Sequence, residues 1–153
     1  MTAGVVVPLR ARVLRAGRPV SDARLDGDDD PGTVVLAAYD ARVDAAASGG
    51  PVSTATLMDQ PCPWRPGVSA VRLRAMATDA GVRGQGIGAL VLAAAVGSAR
   101  GAGAEVLWCL ARMGARTFYD RAGFTVDGGQ FDVPGIGPHL RMELDLRAAP
   151  SVR

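Results

Sequence analysis

The sequence predicts an α/β domain in which helices flank a mixed, twisted central sheet. An alternating stretch at residues 71–78 runs into a glycine-rich loop and then into an alanine- and leucine-rich helix. A short apolar stretch at residues 106–110 follows that helix, so the series predicts a right-handed strand–helix–strand crossover. The 153 residues fit one domain with a single core, which we expect to span residues 1–153.

The first helix is predicted at residues 5–14, with Pro8 close to its start. Its apolar residues recur at helical spacing, and three arginines are predicted on the opposite, solvent-facing side: Arg10, Arg12 and Arg15. Residues 21–32 then combine a run of aspartates with glycine and proline, a composition typical of a loop. We expect a solvated acidic loop rather than a cation site, because the spacing of an EF-hand is missing.

Two strands are predicted at residues 33–39 and 52–58, with a hairpin connection at residues 44–50. Residues 59–67 contain three prolines and predict an irregular loop. Trp64 and Arg65 lie in that loop and could line the mouth of a substrate pocket. The commoner role of such an aromatic residue is to anchor the loop to the core.

The strand at residues 71–78 carries a charge in its middle. Alternation predicts that one face holds Leu73, Ala75 and Ala77, and the other holds Arg72, Arg74, Met76 and Thr78. A charged side chain in a central strand needs a partner or a cavity. Two interpretations of Arg74 stay open: it orients a substrate, or it forms an ion pair with a neighbouring strand, for which Glu143 is a candidate.

The remaining elements complete the sheet. Residues 87–100 predict an amphipathic helix with Ile87, Leu90, Val91 and Ala94 on its inner face. Residues 106–110 predict a buried parallel strand. A short helix is predicted at residues 115–122, two final strands at 124–126 and 140–146, a loop between them with Pro134, Pro138 and His139, and a frayed tail at 148–153.

The glycine-rich loop has the features of an anion site. Gly84, Gly86 and Gly88 lack a Cβ and allow the backbone to approach a ligand closely. Arg83 adds a permanent positive charge whose donors suit a phosphate. The loop also leads into a helix, so backbone amides and the positive end of the helix dipole converge there. These residues predict a pyrophosphate-binding loop.

Two segments resemble a known family. Residues 83–88 (R-G-Q-G-I-G) resemble the R/Q-x-x-G-x-G/A motif of the GCN5-related N-acetyltransferase (GNAT) superfamily, and residues 118–124 are similar to its FYxxxGF segment. The resemblance implies a GNAT-like, mostly antiparallel sheet and an N-acetyltransferase that takes acetyl-CoA as cosubstrate. It implies that the diphosphate is held by Arg83, Gly84, Gln85, Gly86, Ile87 and Gly88.

The resemblance also implies how the rest of acetyl-CoA is bound. In the family, the backbone at the end of the preceding strand pairs with the pantetheine arm, a duty that falls here on Met76, Ala77 and Thr78. A backbone N–H in that segment can polarise the thioester oxygen. Where the family often has Asn three residues before a small residue, Arg112 precedes Ala115, and Arg112 could reach a cofactor phosphate instead.

Proton transfer is implied for two residues. Tyr119 occupies the position of the family's general acid, where a phenol would protonate the CoA thiolate; the alternative is that it only packs beside Phe118. His139, the only histidine, is a candidate base and substrate contact, because imidazole exchanges protons near neutral pH. It lies in a Gly-Pro-His segment similar to one near the substrate pocket in some subfamilies. Asp132, Glu143 or a relayed water are alternatives.

Composition narrows the partners. A net charge of +2, with all seventeen basic residues arginine, gives no sign of nucleic-acid binding. No apolar stretch is long enough to span a membrane, and Cys62 and Cys109 show no metal-binding pattern. Cys109 is expected in the core, and no cysteine lies where a covalent acetyl-enzyme would need one, so direct attack by the amine is predicted. We expect a cytoplasmic protein without a metal, compatible with a homodimer.

The acceptor and two competing interpretations stay open. The acceptor is predicted to be a small-molecule or peptide amine, and Arg74 and Arg65 favour one that carries a carboxylate. A domain that binds acetyl-CoA without turnover is one alternative. The other is an NADP-dependent oxidoreductase, because residues 84–89 fit the dinucleotide fingerprint and Arg112 could contact a 2′-phosphate. The expected ribose-binding carboxylate is missing, which counts against it.

Overall fold

The computed structural model describes residues 2–40 and 50–147. In these ranges it has three α-helices and six strands, namely α1 (Val7–Leu14), β1 (Val34–Ala38), β2 (Ser53–Met58), β3 (Ala70–Thr78), α2 (Ile87–Gly101), β4 (Val106–Arg112), α3 (Arg116–Arg121), β5 (Thr125–Val133) and β6 (Gly137–Asp145). The predicted tail at 148–153, and residues 44–49 of the predicted hairpin connection, lie outside the described residues.

The strands form one sheet in the order β1-β2-β3-β4-β6-β5. β3 pairs in parallel with β4, and α2 connects the two, as predicted for the strand–helix–strand series. β1 with β2, β4 with β6 and β5 with β6 are antiparallel. The predicted fold class, a mixed and mostly antiparallel sheet with helices, is therefore confirmed.

Backbone proximity divides the chain into two compact units. The N-terminal unit comprises Met1–Met58 and Arg74–Ala95, and the C-terminal unit comprises Asp59–Leu73 and Val96–Arg153. In the N-terminal unit, small and β-branched residues form two apolar clusters: Ala3, Val6 and Val35, and Val7, Ala11 and Ala23. These clusters join α1 to the residues just before it, to Ala23 and to β1, so they fix the helix that carries the arginines.

Arg10 is buried, with only 1% of its surface exposed, so its predicted place on the solvent side of α1 is wrong. Its Nη1 and Nη2 lie 2.8 and 2.9 Å from the two carboxylate oxygens of Asp28. Nη2 also donates to Thr56 Oγ1 at 2.7 Å, and Nη1 donates to the Ala23 carbonyl at 3.2 Å. Asp28 was predicted in a solvated loop, yet its side chain is buried because it neutralises Arg10.

The buried face of α2 differs from the predicted one. Val91 is buried as predicted, but Leu90 is 71% exposed and Ala94 is also exposed. The other buried positions are Leu92, Ala95 and Ala99. Because apolar residues occupy almost every side of this helix, their spacing alone does not decide which side faces the sheet.

Two tryptophans hold the proline-rich loop in the C-terminal unit. The Trp64 and Trp108 rings meet edge to face, with centroids 5.3 Å apart. Trp64 Nε1 donates to Glu143 at 3.1 Å, and Trp108 Nε1 donates to the Gln60 carbonyl at 3.0 Å. Trp64 therefore anchors the loop to a cluster that includes buried Cys62, the commoner of the two predicted roles.

Cys109 is a core residue, as predicted. Its burial raises the pKa of the thiol to about 12. A thiol held protonated in this way is a poor nucleophile, which agrees with its assignment to the core.

The last two strands are longer than predicted. β5 extends to Val133, and β6 begins at Gly137, so Pro138 and His139 lie in a strand and not in the predicted loop. The glycines at 128 and 129 suggest a loop, but the pairing of β5 with β6 shifts register between Asp127 and Phe131 and absorbs them.

We predict that Asp28→Asn destabilises the protein by about 3–5 kcal/mol, because Arg10 would remain buried without a counter-charge. Urea unfolding measures this loss. The matched control is Asp120→Asn, which removes an exposed ion pair with Arg116 and should change stability by less than about 0.5 kcal/mol. Equal, small effects of both substitutions would contradict the prediction.

The same pair should govern stability in acid. Burial alone raises the pKa of Asp28, but hydrogen bonds from Arg10 and the Leu25 amide lower it below its ordinary value of 3.8. As the pH falls below 3.8, Asp28 is therefore protonated first in the unfolded chain. The stability that the Arg10–Asp28 pair contributes is lost as the pH falls through the lower pKa of Asp28 in the folded protein. Asp28→Asn should lose less stability than the wild type over that range.

Candidate functional site

The glycine loop joins β3 to α2 and is open on its outer side. Gly84 and Gly86 adopt φ angles of +79° and +80°, in the left-handed region that favours glycine. A Cβ placed on either residue would meet no atom of the described residues within 4 Å, its own chain neighbours aside. Glycine is therefore required here by the backbone conformation and not by packing, and the space that a side chain would fill is available to an external group.

Asp79 fixes the turn at the entrance to the loop. Its backbone amide donates to the Val52 carbonyl at 2.7 Å, and its Oδ1 accepts from the Gly81 amide at 3.0 Å. Its Oδ2 accepts from Arg12 Nη2 at 2.7 Å, which ties the turn to α1. The Gly81 amide and the Arg12 guanidinium lower the pKa of Asp79, so the carboxylate stays ionised at neutral pH. The turn is thus held from β2 and from α1.

Arg83 closes the loop onto the end of β3. Its Nε donates to the Thr78 carbonyl at 3.2 Å. Its two Nη atoms have no hydrogen-bond partner within residues 2–40 and 50–147. The Thr78 hydroxyl is engaged by Ser53, with the two oxygens 2.9 Å apart. Arg83 therefore presents a permanent charge with unengaged donors, while its Nε holds the loop in place.

The strand before the loop contains a strained residue. Ala75 has a φ of +51°, and no other non-glycine residue in the described part of the chain has a positive φ. This conformation costs an ordinary residue about 1–2 kcal/mol. Leu73 and Ala77 are buried, whereas Ala75 is only half-buried. The predicted alternation of the two strand faces is therefore interrupted at Ala75. The strain lies directly before Met76.

Arg74 is half-buried in β3, and the predicted ion pair with Glu143 is wrong. Glu143 is engaged by Arg65, at 3.4 Å, and by the Trp64 indole. Arg74 makes no hydrogen bond or ion pair with any residue that the structure describes. Burial lowers the pKa of Arg74, and the Asp28 carboxylate only partly opposes this effect. Arg74 is therefore without the ion pair that one interpretation required among the described residues, and substrate orientation stays a prediction.

Tyr119 lies on α3 and is 5% exposed. Its ring packs against Phe118 and Phe124, each with a centroid distance of 5.2 Å. Burial, and secondarily the Cys109 thiol, raise the pKa of Tyr119 well above its ordinary value. In the described part of the chain the hydroxyl has no hydrogen-bond partner, yet it is not a fully buried polar atom. The phenol therefore keeps its proton and has an open end.

His139 lies in β6 and is 6% exposed. Its Nδ1 lies 2.9 Å from the Gly137 carbonyl oxygen, and because a carbonyl can only accept, Nδ1 carries the proton. Nε2 has no partner among the described residues and is not a fully buried polar atom. In register, His139 lies opposite Arg112 of β4 and Phe131 of β5. The ring thus uses Nδ1 for the Gly137 carbonyl and leaves Nε2 for an external group.

The predicted site residues fall into two groups. The N-terminal unit holds the loop, the end of β3 and Arg74, and the C-terminal unit holds Tyr119, His139, Arg112 and Ala115. Arg112 ends β4, and Ala115 ends the short helical turn that follows. Sequence reasoning missed the supporting residues Asp79 and Arg12. The signal for Asp79 was an aspartate two residues before a glycine, which favours a turn closed by the carboxylate.

Within residues 2–40 and 50–147, no group of three or more histidine, cysteine, aspartate or glutamate side chains could hold a metal ion. No helix in those ranges is both long and apolar enough to cross a membrane.

Comparison with known proteins assigns the family. A family model described as an acetyltransferase (GNAT) domain matches residues 30–126. The uncharacterized N-acetyltransferase YitI of Bacillus subtilis (strain 168) is 32% identical over 142 residues, which cover 92% of this chain and 90% of YitI.

Solved structures share the fold. A protein of Lactobacillus plantarum superimposes with a TM-score of 0.71 at 22% identity, covering 94% of this chain and 90% of that one. An aminoglycoside 6′-N-acetyltransferase complexed with coenzyme A gives a TM-score of 0.67 at 13% identity, covering 96% and 94%. At these identities the likeness shows the fold alone, whereas the family model and YitI show the family. The chain belongs to the GNAT superfamily of acetyltransferases.

Proposed function

We propose that this protein moves the acetyl group of acetyl-CoA directly to the amine of a small molecule or peptide. The observation that carries the proposal is the glycine loop, whose outer side is open and whose Arg83 has unengaged donors. Its position between a strand and a 15-residue helix provides backbone amides and a favourable dipole for a diphosphate. Membership of the acetyltransferase family supports the same assignment.

The residues present fit acetyl-CoA, whose thioester supplies an activated acetyl group. Arg83 and the backbone amides of residues 84–88 would hold the diphosphate, with Gln85 and Ile87 contributing through the backbone. The backbone of Met76, Ala77 and Thr78 would pair with the pantetheine arm. The Thr78 hydroxyl is already engaged by Ser53, so Thr78 would contribute through its backbone. A backbone N–H of this segment would polarise the thioester oxygen.

Two side chains of the C-terminal unit suit proton transfer. Tyr119 Oη holds a proton at neutral pH, because burial raises its pKa, and we assign it the protonation of the departing sulfur. His139 Nε2 is the free acceptor of a ring whose other nitrogen is fixed by Gly137, and we assign it removal of the proton from the amine. Arg112 is assigned a cofactor phosphate contact, and Ala115 the small position beside the cofactor.

The two alternatives stand differently. The mostly antiparallel sheet argues against a dinucleotide-binding fold, which is built on a parallel sheet. A domain that binds acetyl-CoA without turnover shares the loop, so only an activity measurement separates it from an enzyme.

We predict that acetyl-CoA, and not NADPH, stabilises the protein against heat. Ligand at a hundred times its dissociation constant adds about 2.7 kcal/mol, or roughly 5–10 °C for a chain of this size. Thermal unfolding with each ligand measures the shift. A shift with NADPH alone would sink the assignment of the loop to acetyl-CoA.

The open loop leads to a second prediction. Gly86→Ala should weaken acetyl-CoA binding about tenfold or more, because the added methyl group keeps the diphosphate from the loop amides and weakens a charge-assisted hydrogen bond. Gly17→Ala is the matched control, since Gly17 also has a φ of +80° and open space where a Cβ would lie. Both variants should lose about 1 kcal/mol of stability. Equal acetyl-CoA affinities would place the diphosphate elsewhere.

The proton-transfer assignments predict losses of activity. Tyr119→Phe should lower kcat by about a hundredfold or more while keeping the acetyl-CoA thermal shift, because it removes only the acid. His139→Gln should lower kcat/KM for the amine by about a hundredfold or more, because an amide side chain cannot take up the amine's proton. Phe118→Leu, a change of packing alone, serves as the control. Wild-type activity in Tyr119→Phe would show that Tyr119 only packs.

A further inference from the structure

Arg74 is a cation that lies in the middle of β3 without a compensating anion among the described residues. It is half-buried, and it makes no hydrogen bond or ion pair with residues 2–40 or 50–147. Two arginines of the same unit are each paired by a carboxylate, Arg10 by Asp28 and Arg12 by Asp79. A charge that is partly removed from water gains from a partner of opposite sign, so this position favours the binding of an anion.

The charges around Arg74 do not neutralise it. Asp28 acts on Arg74, but its carboxylate is already used by Arg10 and by the Leu25 amide. Asp26 also acts on Arg74 but is exposed to solvent. Arg15 adds a further positive charge, and its Nη1 bonds only to the neighbouring Leu14 carbonyl. Positive charge is therefore in excess at this part of the N-terminal unit.

Arg65 is the other arginine that the sequence suggested for binding a carboxylate on the acceptor, and it differs from Arg74 in having a partner. Arg65 lies 3.4 Å from Glu143 and is neutralised by it. Glu143 also accepts the Trp64 hydrogen bond, which fixes the pair to the anchored loop. Arg65 is thus accounted for by the packing of the C-terminal unit, and Arg74 is not.

Arg74 is also close in the chain to the segment that would hold the acyl group. Met76 begins that segment, two residues after Arg74, and the strained Ala75 lies between them. An anion held by Arg74 would therefore bring an attached amine to the same part of β3. A guanidinium binds a planar carboxylate through two parallel hydrogen bonds, which fixes orientation as well as position.

We propose that Arg74 binds a carboxylate of the acceptor, so that the amine acetylated by this protein belongs to an amino acid or a similar small amino-carboxylate. This inference rests on the proposed acetyltransferase function. A carboxylate on the acceptor satisfies the one requirement that the fold leaves unmet at Arg74, and a neutral amine does not.

The test compares matched acceptors in the full-length protein. A panel of α-amino acids is assayed for CoA release beside the corresponding α-amides and decarboxylated amines. In the wild type, kcat/KM should be about 10- to 100-fold higher for the carboxylates, the range expected for a charge-assisted hydrogen bond. Arg74→Met should abolish that preference mainly through KM, Arg74→Lys should restore part of it, and Arg65→Met should leave it unchanged.

Two further measurements separate the outcomes. Arg74→Met should keep the acetyl-CoA thermal shift and should not lose stability, because it removes a charge that has no partner. Amino acids without acetyl-CoA should stabilise the wild type and not Arg74→Met, which tests the carboxylate site even if transfer fails. Equal use of carboxylates and decarboxylated amines, or equal losses for both in Arg74→Met, would overturn the inference. Acetyl-CoA binding with no acetylation of any amino-carboxylate would do so as well.

Discussion

The side chain and backbone of Asp79 hold the candidate cofactor loop in place. Its amide bonds to Val52 at the start of β2, and its carboxylate caps the turn and binds Arg12 of α1. The left-handed glycines that follow are flexible in an unfolded chain, so a fixed entrance is needed for their amides to converge. The exposed ion pair with Arg12 adds little stability by itself. Its importance lies in coupling the position of the loop to that of α1.

The arginines of this chain have different structural roles. The absence of lysine itself reflects a bias in composition. Arg10 is a structural cation, because its fork of donors reaches a carboxylate, a hydroxyl and a carbonyl together. Arg83 uses one donor for the loop and keeps the others. Arg74 keeps its charge at neutral pH although it is partly buried. A lysine would lose its proton more readily on burial. The surroundings decide which arginine keeps donors for a ligand.

Local patterns predicted the loop well, because left-handed glycines, a turn and a helix start depend on neighbouring residues. The mostly antiparallel character of the sheet could be predicted only through the family resemblance. The burial of Arg10 could not be predicted from the sequence, because its partners Asp28 and Thr56 are distant from it along the chain. The inner face of α2 was misjudged at Leu90, since an almost wholly apolar helix gives no contrast between its sides. His139 was misplaced because its strand pairing depends on a register shift.

The two proton-transfer candidates lie in different surroundings. The apolar rings around Tyr119 disfavour the phenolate, so its hydroxyl is a donor. The Gly137 carbonyl accepts a hydrogen bond from Nδ1 of His139, which leaves Nε2 without a partner among the described residues. Both positions depend on β4: its last residue lies opposite His139, and the chain then continues into the helix of Tyr119. A shift in this strand would therefore disturb both groups, whereas the cofactor loop depends on separate contacts with α1 and β2.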